Sequence, residues 1–319
     1  MKILIVGGAG YIGSKLIPQL LDRGHQIDVV DLLWFGNYLP QAAPVKQIDV
    51  FDLREDDLKG YQQVIFLAGL SNDPMAEFSP GMNFISNAAG PAYLGYLAKR
   101  AGVKRYIFAG SCSVYGYTVD ELYSEESPVH SDYPYGISKL QGEQASMQLR
   151  NDDFSVIAFR QGTVNGYSPR MRLDLVVNTM FKTAVQSGKI TVNNPAIWRP
   201  ILSIEDAAAA YIRAVEASDE ISGIFNISSG NYTVGEISDI VKATVEKQME
   251  THIEVEINHI SDYRNYKVTH DKAVKVLSFK PKHDVESIVQ DLISNRERFA
   301  DFDNENYYNI KTFRKLKLA

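Results

Sequence analysis

Three side chains whose types suit alcohol oxidation occur close together: Ser111, Tyr135 and Lys139. The i, i+4 spacing of Tyr135 and Lys139 places both on one face of a helix. A phenol is a poor base at neutral pH because its pKa is about 10, but a nearby ammonium favours the tyrosinate. A serine hydroxyl can hydrogen-bond the reacting oxygen as charge develops. The trio predicts proton abstraction from an alcohol whose carbon loses hydride.

The context of this pair is more informative than its spacing. The Tyr-x-x-x-Lys pattern occurs at Tyr11, Tyr135, Tyr263 and Tyr307. Of these, Tyr135 opens a predicted helix and follows the cluster Ser111-Cys112-Ser113 at the end of a predicted strand. Ligands bind at the carboxyl ends of strands in doubly wound sheets. We therefore interpret Tyr135 and Lys139, together with a serine of this cluster, as the catalytic residues.

A glycine-rich turn follows the first apolar run, with the sequence Gly7-Gly8-Ala9-Gly10-Tyr11-Ile12-Gly13. Glycines there let the chain turn tightly and approach a pyrophosphate, while the next helix aims its amides at the phosphates. The turn lies at the first strand–helix junction, as that mechanism requires. The sequence therefore predicts a dinucleotide site.

Asp31 ends the second predicted strand and can accept hydrogen bonds from both ribose hydroxyls. It would repel a 2′-phosphate, and no Arg or Lys follows it, so we expect NAD rather than NADP.

The nicotinamide charge and the Lys139 ammonium would each stabilise the tyrosinate form of Tyr135 by about 2–4 kcal/mol, bringing its pKa close to about 7. The predicted cofactor contacts are Gly7, Gly10, Tyr11, Ile12, Gly13, Asp31, Leu32, Asp49, Val50, Leu67, Ala68, Gly69, Asn87, Tyr135 and Lys139.

The elements that must position these residues alternate between short apolar runs and amphipathic stretches. We expect strands at Ile3–Val6, Ile27–Val30, Val64–Leu67, Tyr106–Ala109 and Val156–Phe159, and helices at Tyr11–Arg23, Met82–Ala101, Tyr133–Arg150, Ile204–Glu216 and Thr233–Lys247. This alternation predicts an α/β fold, a Rossmann doubly wound parallel sheet with a smaller C-terminal α/β substrate lobe. The NAD-binding domain would comprise 1–166 and about 201–227. The lobe would comprise about 167–200 and 228–319, with a peripheral basic tail over 307–319.

Composition excludes several classes of function. The chain has 319 residues and a formal charge of −6, which gives no footprint for nucleic acid or an anionic membrane. A single cysteine, Cys112, allows no internal disulfide, and the histidines lack metal-ligand spacing. No apolar run is long enough for a membrane span, and the N-terminus does not resemble a signal peptide. We expect a cytoplasmic protein without metal.

Together these motifs resemble the extended short-chain dehydrogenase/reductases of the NAD-dependent epimerase/dehydratase type. The matching pieces are GGAGYIG at 7–13, Asp31, LAG at 67–69, SCSVYG at 111–116, YGISK at 135–139 and DKAVKVLSFKP at 271–281. The resemblance covers essentially the whole chain. It implies a nucleotide-diphosphate sugar as substrate, Ser111 as the catalytic serine, and a homodimer formed through helices at about 82–101 and 133–150.

The resemblance implies further substrate contacts. Arg199 and Arg264 stand where two guanidiniums can bind a diphosphate. Thr163 replaces the asparagine usual in the family. The run Ser168–Leu175 resembles a branch that includes dehydrogenases of nucleotide-activated heptoses. The predicted substrate contacts are Ser71, Ser113, Thr163, Asn178, Arg199 and Arg264.

Departures from the family decide between reactions. The 4,6-dehydratases carry an Asp-Glu pair where this chain has Cys112 and Ser113, so dehydration is disfavoured. Cys112 itself is expected to be a small filler rather than a nucleophile. We favour an epimerase, acting at C4 through a 4-keto intermediate. A C4 dehydrogenase or 4-keto reductase is the alternative, followed by a 4,6-dehydratase or a non-catalytic NAD-binding protein.

Overall fold

A parallel sheet forms the centre of the molecule. The computed structural model describes residues 1–259 and 265–317, without the side chains of 117–120. Within that part of the chain seven strands form one sheet in the order β11-β7-β5-β4-β1-β2-β3. The described strands are β1 Lys2–Val6, β2 Gln26–Val30, β3 Val45–Lys46, β4 Gln63–Phe66, β5 Arg105–Ala109, β6 Tyr117–Tyr123, β7 Ser155–Gln161, β8 Thr163–Asn165, β9 Lys189–Asn193, β10 Trp198–Ser203, β11 Gly223–Ile227, β12 Gly230–Thr233, β13 Glu254–Asn258 and β14 Asn265–Val268.

Helices cover both faces of this sheet, as its near-continuous apolar strands require. The described α-helices are α1 Gly13–Asp22, α2 Asp73–Phe78, α3 Pro80–Phe84, α4 Gly90–Arg100, α5 Pro134–Gln148, α6 Val176–Ser187, α7 Ile204–Glu216, α8 Val234–Met249, α9 Asp271–Leu277, α10 Val285–Asn295 and α11 Asn309–Leu316. The predicted doubly wound Rossmann sheet is thereby confirmed. Its strand order reverses beside β1, so the carboxyl ends of β1 and β4 flank the crevice where ligands bind in such sheets.

In the sequence, Ser203 before residue 204, and Thr233 with Glu236 three residues later, have the types and spacing of helix caps, and both caps are present. Ser203 accepts a hydrogen bond from the amide of Glu205 at the start of α7. Thr233 and Glu236 form the expected reciprocal capping box at the start of α8. These helices begin where their capping residues predict because each cap satisfies amides that the first helical turn leaves unpaired.

The helix expected over 82–101 is interrupted. A π-helical turn, Ile85–Ala89, separates α3 from α4. Pro91 lies at the start of α4 and has no amide to donate to the preceding turn, which favours such a bulge. The backbone oxygen of Asn87 lies only 2.2 Å from where a Cβ on Gly142 would stand. The glycine therefore lets α5 approach the bulged turn closely.

A buried ion pair fixes α5 against the sheet. Arg160 on β7 donates from Nε and Nη2 to Glu143 on α5, at 2.9 and 2.7 Å. Arg160 also donates from Nη1 to the hydroxyl of Tyr115, at 2.9 Å. Both partners of the pair are almost wholly buried. The bidentate geometry fixes the orientation of α5, the helix that carries Tyr135 and Lys139.

A second hydrophobic core lies outside the sheet. It is built largely from α6, α8 and α10 together with β9, and includes Phe181, Ile190, Val241, Val289 and Phe299. A three-stranded sheet, β12-β10-β8, lies beside it. The helix α9 lies in the part of the chain that the sequence assigns to the lobe, but its Ala273 and Leu277 belong to the core of the main sheet. The division into domains given by the sequence stays a prediction.

The segment from residue 307 to 317 is not peripheral, so that expectation is wrong. Asn309, Thr312 and Phe313 are buried, and the ring of Phe313 meets that of Trp34 edge-on with centroids 5.0 Å apart. The basic residues of α11 mislead because they lie on its outer face. Its inner face follows the helical i, i+3, i+4 spacing and packs next to the cavity described below.

Candidate active site

The glycine turn has the conformation its sequence predicts. Gly7 adopts φ +81°, and a Cβ there would lie 2.3 Å from the backbone nitrogen of Ala68. A Cβ on Gly13 would lie 2.1 Å from the oxygen of Gly8. Only glycine fits either position. The helix α1 then starts at Gly13, with its N-terminus at the turn.

Asp31 stands at the carboxyl end of β2 beside this turn. Its carboxylate accepts hydrogen bonds from the amides of Ala9, at 3.0 Å, and Leu33, at 2.8 Å. Burial raises the pKa of Asp31, and the two amide hydrogen bonds oppose that rise. Because a carboxylate has about four acceptor positions, Asp31 keeps capacity for ribose hydroxyls.

A cavity of ≈ 570 Å³ joins the turn to the predicted catalytic residues. Gly7, Gly10, Tyr11, Ile12, Leu67, Ala68 and Gly69 line it, together with Ser111, Ser113, Tyr135, Lys139, Ser71, Thr163 and Arg199. Gly13, Asp31, Leu32, Asp49, Val50, Asn87 and Asn178 are not among the lining residues. Arg264 lies outside the described residues. The structure thus brings most of the predicted site residues together around one cavity.

The three residues predicted to be catalytic converge on this cavity. Ser111 follows β5 and accepts hydrogen bonds from the hydroxyl and amide of Ser113, at 2.9 and 3.2 Å. The Lys139 Nζ donates to the backbone oxygen of Ala109 at 3.0 Å and lies 6.0 Å from the centroid of the Tyr135 ring. Tyr135 thus has a hydroxyl donor and a buried amine as neighbours.

Burial dominates the electrostatics of the trio. It raises the pKa of Tyr135 to about 12, and a hydrogen bond with Ser111 only partly opposes this. Asp73, at the start of α2, also raises it. Burial lowers the pKa of Lys139 to about 7. The expected Tyr135 pKa near 7 is therefore not a property of the protein alone, because desolvation outweighs the lowering effects of Ser111 and Arg172.

Several predicted contacts have structural partners instead of facing the cavity. The amide of Asn87 donates to the backbone oxygen of Leu70, at 2.9 Å. Asn178 donates to the backbone oxygen of Arg172, at 2.7 Å, and accepts from the amide of Gly166, at 2.9 Å. Asp49 caps a short 3-10 turn at Val50–Asp52. Asn178 supports the cavity wall from behind.

Part of the wall was missed by sequence reasoning. Arg170, Arg172, Asp174 and Asn309 line the cavity. Arg172 binds Asp174 through two hydrogen bonds, at 2.8 and 3.1 Å, and donates to the hydroxyl of Ser71 at 2.9 Å. From the sequence, the run 168–175 carries only a resemblance to a branch of the family, and no periodicity indicates that its arginines are buried.

Cys112 is fully buried, and its Sγ lies 3.2 Å from the backbone oxygen of Arg160. Burial raises the pKa of its thiol, so it lacks the thiolate character of a nucleophile.

In the described parts of the chain, no cluster of three or more His, Cys, Asp or Glu side chains could hold a metal ion. No helix of those parts has the length and apolarity to cross a bilayer.

The sequence model of the NAD dependent epimerase/dehydratase family matches residues 3–228. The chain belongs to this family. The match covers the glycine turn, Asp31 and the whole Ser111, Tyr135 and Lys139 set. It also agrees with the extended short-chain dehydrogenase/reductase resemblance.

The curated relatives that the chain resembles include two kinds of enzyme. A UDP-glucose 4-epimerase of Neisseria meningitidis serogroup C is 25% identical over 275 residues, covering 76% of this chain and 81% of the relative. UDP-glucuronic acid decarboxylase 2 of Arabidopsis thaliana is 26% identical over 296 residues, covering 88% of this chain and 65% of the relative. These relatives agree with the family match, and the chain is an enzyme of the NAD dependent epimerase/dehydratase family.

Solved structures share the fold at low identity. MoeE5 in complex with UDP-glucuronic acid and NAD aligns with a TM-score of 0.81 at 24% identity, over 94% of this chain and 100% of that chain. The UDP-glucose-4-epimerase from Stenotrophomonas maltophila with bound NAD and formylated UDP-arabinopyranose aligns with a TM-score of 0.84 at 21% identity, over 94% and 99%.

NAD is the cofactor of the family, and the residues present here fit it. The Gly7 turn lies too close to Ala68 for any side chain, Asp31 retains acceptor capacity, and the N-terminus of α1 provides amides for phosphate. The predicted catalytic residues Ser111, Tyr135 and Lys139 lie on the wall of the same cavity.

Proposed function

We propose that the protein is an NAD-dependent nucleotide-sugar epimerase acting at C4 through a 4-keto intermediate. The observation that carries this proposal is the composition of the catalytic wall. Ser111, Tyr135 and Lys139 line the cavity together, while the positions after Ser111 hold Cys112 and Ser113 instead of an acid and a base. The wall supports oxidation and reduction at a hydroxyl-bearing carbon, without the pair needed to eliminate water.

In this proposal the chain's residues move and hold one proton. The Tyr135 phenolate takes the proton of the C4 hydroxyl and returns it after the keto sugar has turned. The Ser111 hydroxyl donates to the C4 oxygen as charge develops. Lys139 in its ammonium form stabilises the phenolate. NAD bound in this cavity would supply hydride transfer at C4 and a positive charge that would oppose the effect of burial on the pKa of Tyr135.

Most of the residues expected to bind the sugar nucleotide line the same cavity. Arg199, on β10, supports binding of a diphosphate, and Thr163 and Ser113 line the same space. Ser71 and Ser113 offer hydroxyls to the sugar. Arg264 stays a candidate from the sequence.

A homodimer is part of the proposal. Phe84, Ile85 and Tyr96, on α3, the π-helical turn and α4, are exposed by 36%, 49% and 50%. Burial of such side chains favours association, and they lie on the helices over 82–101 that the family resemblance assigns to the interface. Light scattering coupled to size exclusion tests this: Tyr96→Asp is expected to give monomers if the interface is there, and a dimer in this variant would contradict it.

Proton NMR of UDP-, GDP-, dTDP- and CDP-sugars incubated with the protein and trace NAD tests the reaction. We expect a new epimer whose amount exceeds the NAD supplied. A 4-keto product limited by the NAD supplied would replace the proposal with the dehydrogenase alternative. Tyr135→Phe is expected to retain NAD and lose turnover, and a fully active Phe variant would refute the role of Tyr135.

A further inference from the structure

Arg170 has a buried guanidinium, and the rest of the protein provides partners for only some of its hydrogen-bond donors. The residue is 2% exposed, and its Nη2 donates to the side-chain oxygen of Asn309. Its Nε and Nη1 have no hydrogen-bond partner within residues 1–259 and 265–317. Leaving buried donors unpaired on a charged group is costly. Because Arg170 lines the cavity, an anion there would use these donors.

The local charges do not neutralise Arg170. The nearby acid, Asp174, already binds Arg172 through both carboxylate oxygens. Asp31 acts on Arg170 electrostatically, but its oxygens accept from the amides of Ala9 and Leu33. Burial lowers the pKa of Arg170 to about 9, as expected of a cation short of counter-charge.

The surroundings of Arg170 place it at the cofactor end of the cavity. Its guanidinium lies 3.8 Å from the ring centroid of Phe35, which follows β2. Its positive charge acts to lower the pKa of Tyr11 in the glycine turn and that of Asp31. All three neighbours belong to the dinucleotide side, whereas Arg199 lies on β10.

We propose that Arg170 binds the diphosphate of NAD through the guanidinium nitrogens that Asn309 leaves unpaired. The glycine turn supplies amides from one side of the diphosphate, and Arg170 supplies a cation from the other. Asn309 is the positioning residue, because it also donates to the hydroxyl of Ser71 at 2.9 Å and so ties Arg170 to the cavity wall. The inference rests on the assignment of the glycine turn to NAD and needs no assumption about the reaction.

A diphosphate bound by Arg170 would slow the dissociation of NAD from the protein. The segment 168–174 and α11 lie outside the sheet, so a diphosphate held by Arg170 is enclosed from a side that the glycine turn does not reach. An epimerase regenerates its NAD within each turnover, and slow dissociation suits that reaction.

Calorimetric titration of nucleotide-free protein tests the proposal. Arg170→Met keeps the length and removes the charge, and we expect its affinity for NAD and for ADP to fall roughly 10- to 100-fold, as for loss of a charge-assisted hydrogen bond. Its affinity for adenosine, which lacks phosphate, and for UDP should change less than about 2-fold. The melting temperature of the nucleotide-free variant should not fall, since an unpaired buried charge is removed.

Unchanged NAD affinity in Arg170→Met would overturn the proposal. So would a selective loss of UDP affinity, which would assign the guanidinium to the sugar nucleotide, or equal losses for NAD and adenosine, which would make the role structural. These titrations do not depend on turnover, so they remain decisive even if no epimer forms in the NMR panel.

Asn309→Asp separates a binding role from a packing role without removing Arg170. The new carboxylate would neutralise the guanidinium and compete with the diphosphate, so we expect NAD affinity to fall several-fold while the nucleotide-free protein melts no lower. If Arg170 only packs the wall, Arg170→Met should leave NAD affinity unchanged, and a loss confined to Asn309→Asp would reflect the new negative charge on the cavity wall.

Discussion

Replacing Lys139 with methionine is expected to make the nucleotide-free protein more stable while abolishing turnover. Burial lowers the pKa of Lys139 from its ordinary 10.5 to about 7, so the folded state resists holding this proton. At about 1.36 kcal/mol per pH unit, that displacement corresponds to about 5 kcal/mol. Because Lys139 is 5% exposed, solvent screening reduces the figure little.

The sign of the pH dependence follows from proton binding. Between about pH 7 and 10.5 the unfolded state binds the lysine proton and the folded state does not, so stability rises with pH through that window. Below about 7 both states are protonated and the full penalty remains. Lys139→Met has no such proton. Its advantage over the wild type should be largest near neutrality and vanish as the pH approaches 10.5.

Urea unfolding at a series of pH values measures this difference. The matched control is Lys104→Met, because Lys104 is exposed and its replacement should not change the pH profile of stability. The lost hydrogen bond to Ala109 makes Lys139→Met less stable by about 1 kcal/mol at every pH and does not alter the slope. A stability difference that stays constant from neutral to alkaline pH would refute the reasoning.

Three further perturbations follow from the packing. Glu143→Gln leaves Arg160 buried without its counterion and should lower the free energy of unfolding by about 3–5 kcal/mol, as measured by thermal unfolding. The double variant Arg160→Met/Glu143→Met should recover much of this loss. A double variant less stable than the single one would contradict the argument. Gly7→Ala should lose co-purifying NAD and melt lower, because its Cβ would lie 2.3 Å from the Ala68 nitrogen; normal NAD content would disprove the close approach. Cys112 should resist thiol reagents until the protein unfolds, and Cys112→Ala should keep its activity, which a nucleophile would not.

The parts of the fold that the sequence predicted are those set by local pattern. The buried strand β5 and the helix α7 follow from an apolar run and from the capping Ser203. The glycine turn follows from steric limits that act within a few residues. The Tyr135 and Lys139 pair follows from helical spacing together with its position after β5.

The parts that the sequence did not predict depend on contacts between distant residues. Arg170 and Asn309 are 139 residues apart, and neither carries a local signal that it lines the cavity. Asp73 affects the pKa of Tyr135 only because α2 lies next to α5 in the fold. Desolvation of Lys139 likewise depends on the complete fold.

The contacts of Asn309 also bear on the order of events during synthesis. The ribosome completes all seven strands of the main sheet once residue 227 has been added. The side chain that orients Arg170 is added only later, with residue 309. A nascent chain can therefore fold its sheet early, but its cofactor pocket matures late. Any product of interrupted translation between these points would carry Ser111, Tyr135 and Lys139 with an incomplete pocket, in which Trp34 and Phe35 lack their ring contacts with Phe313.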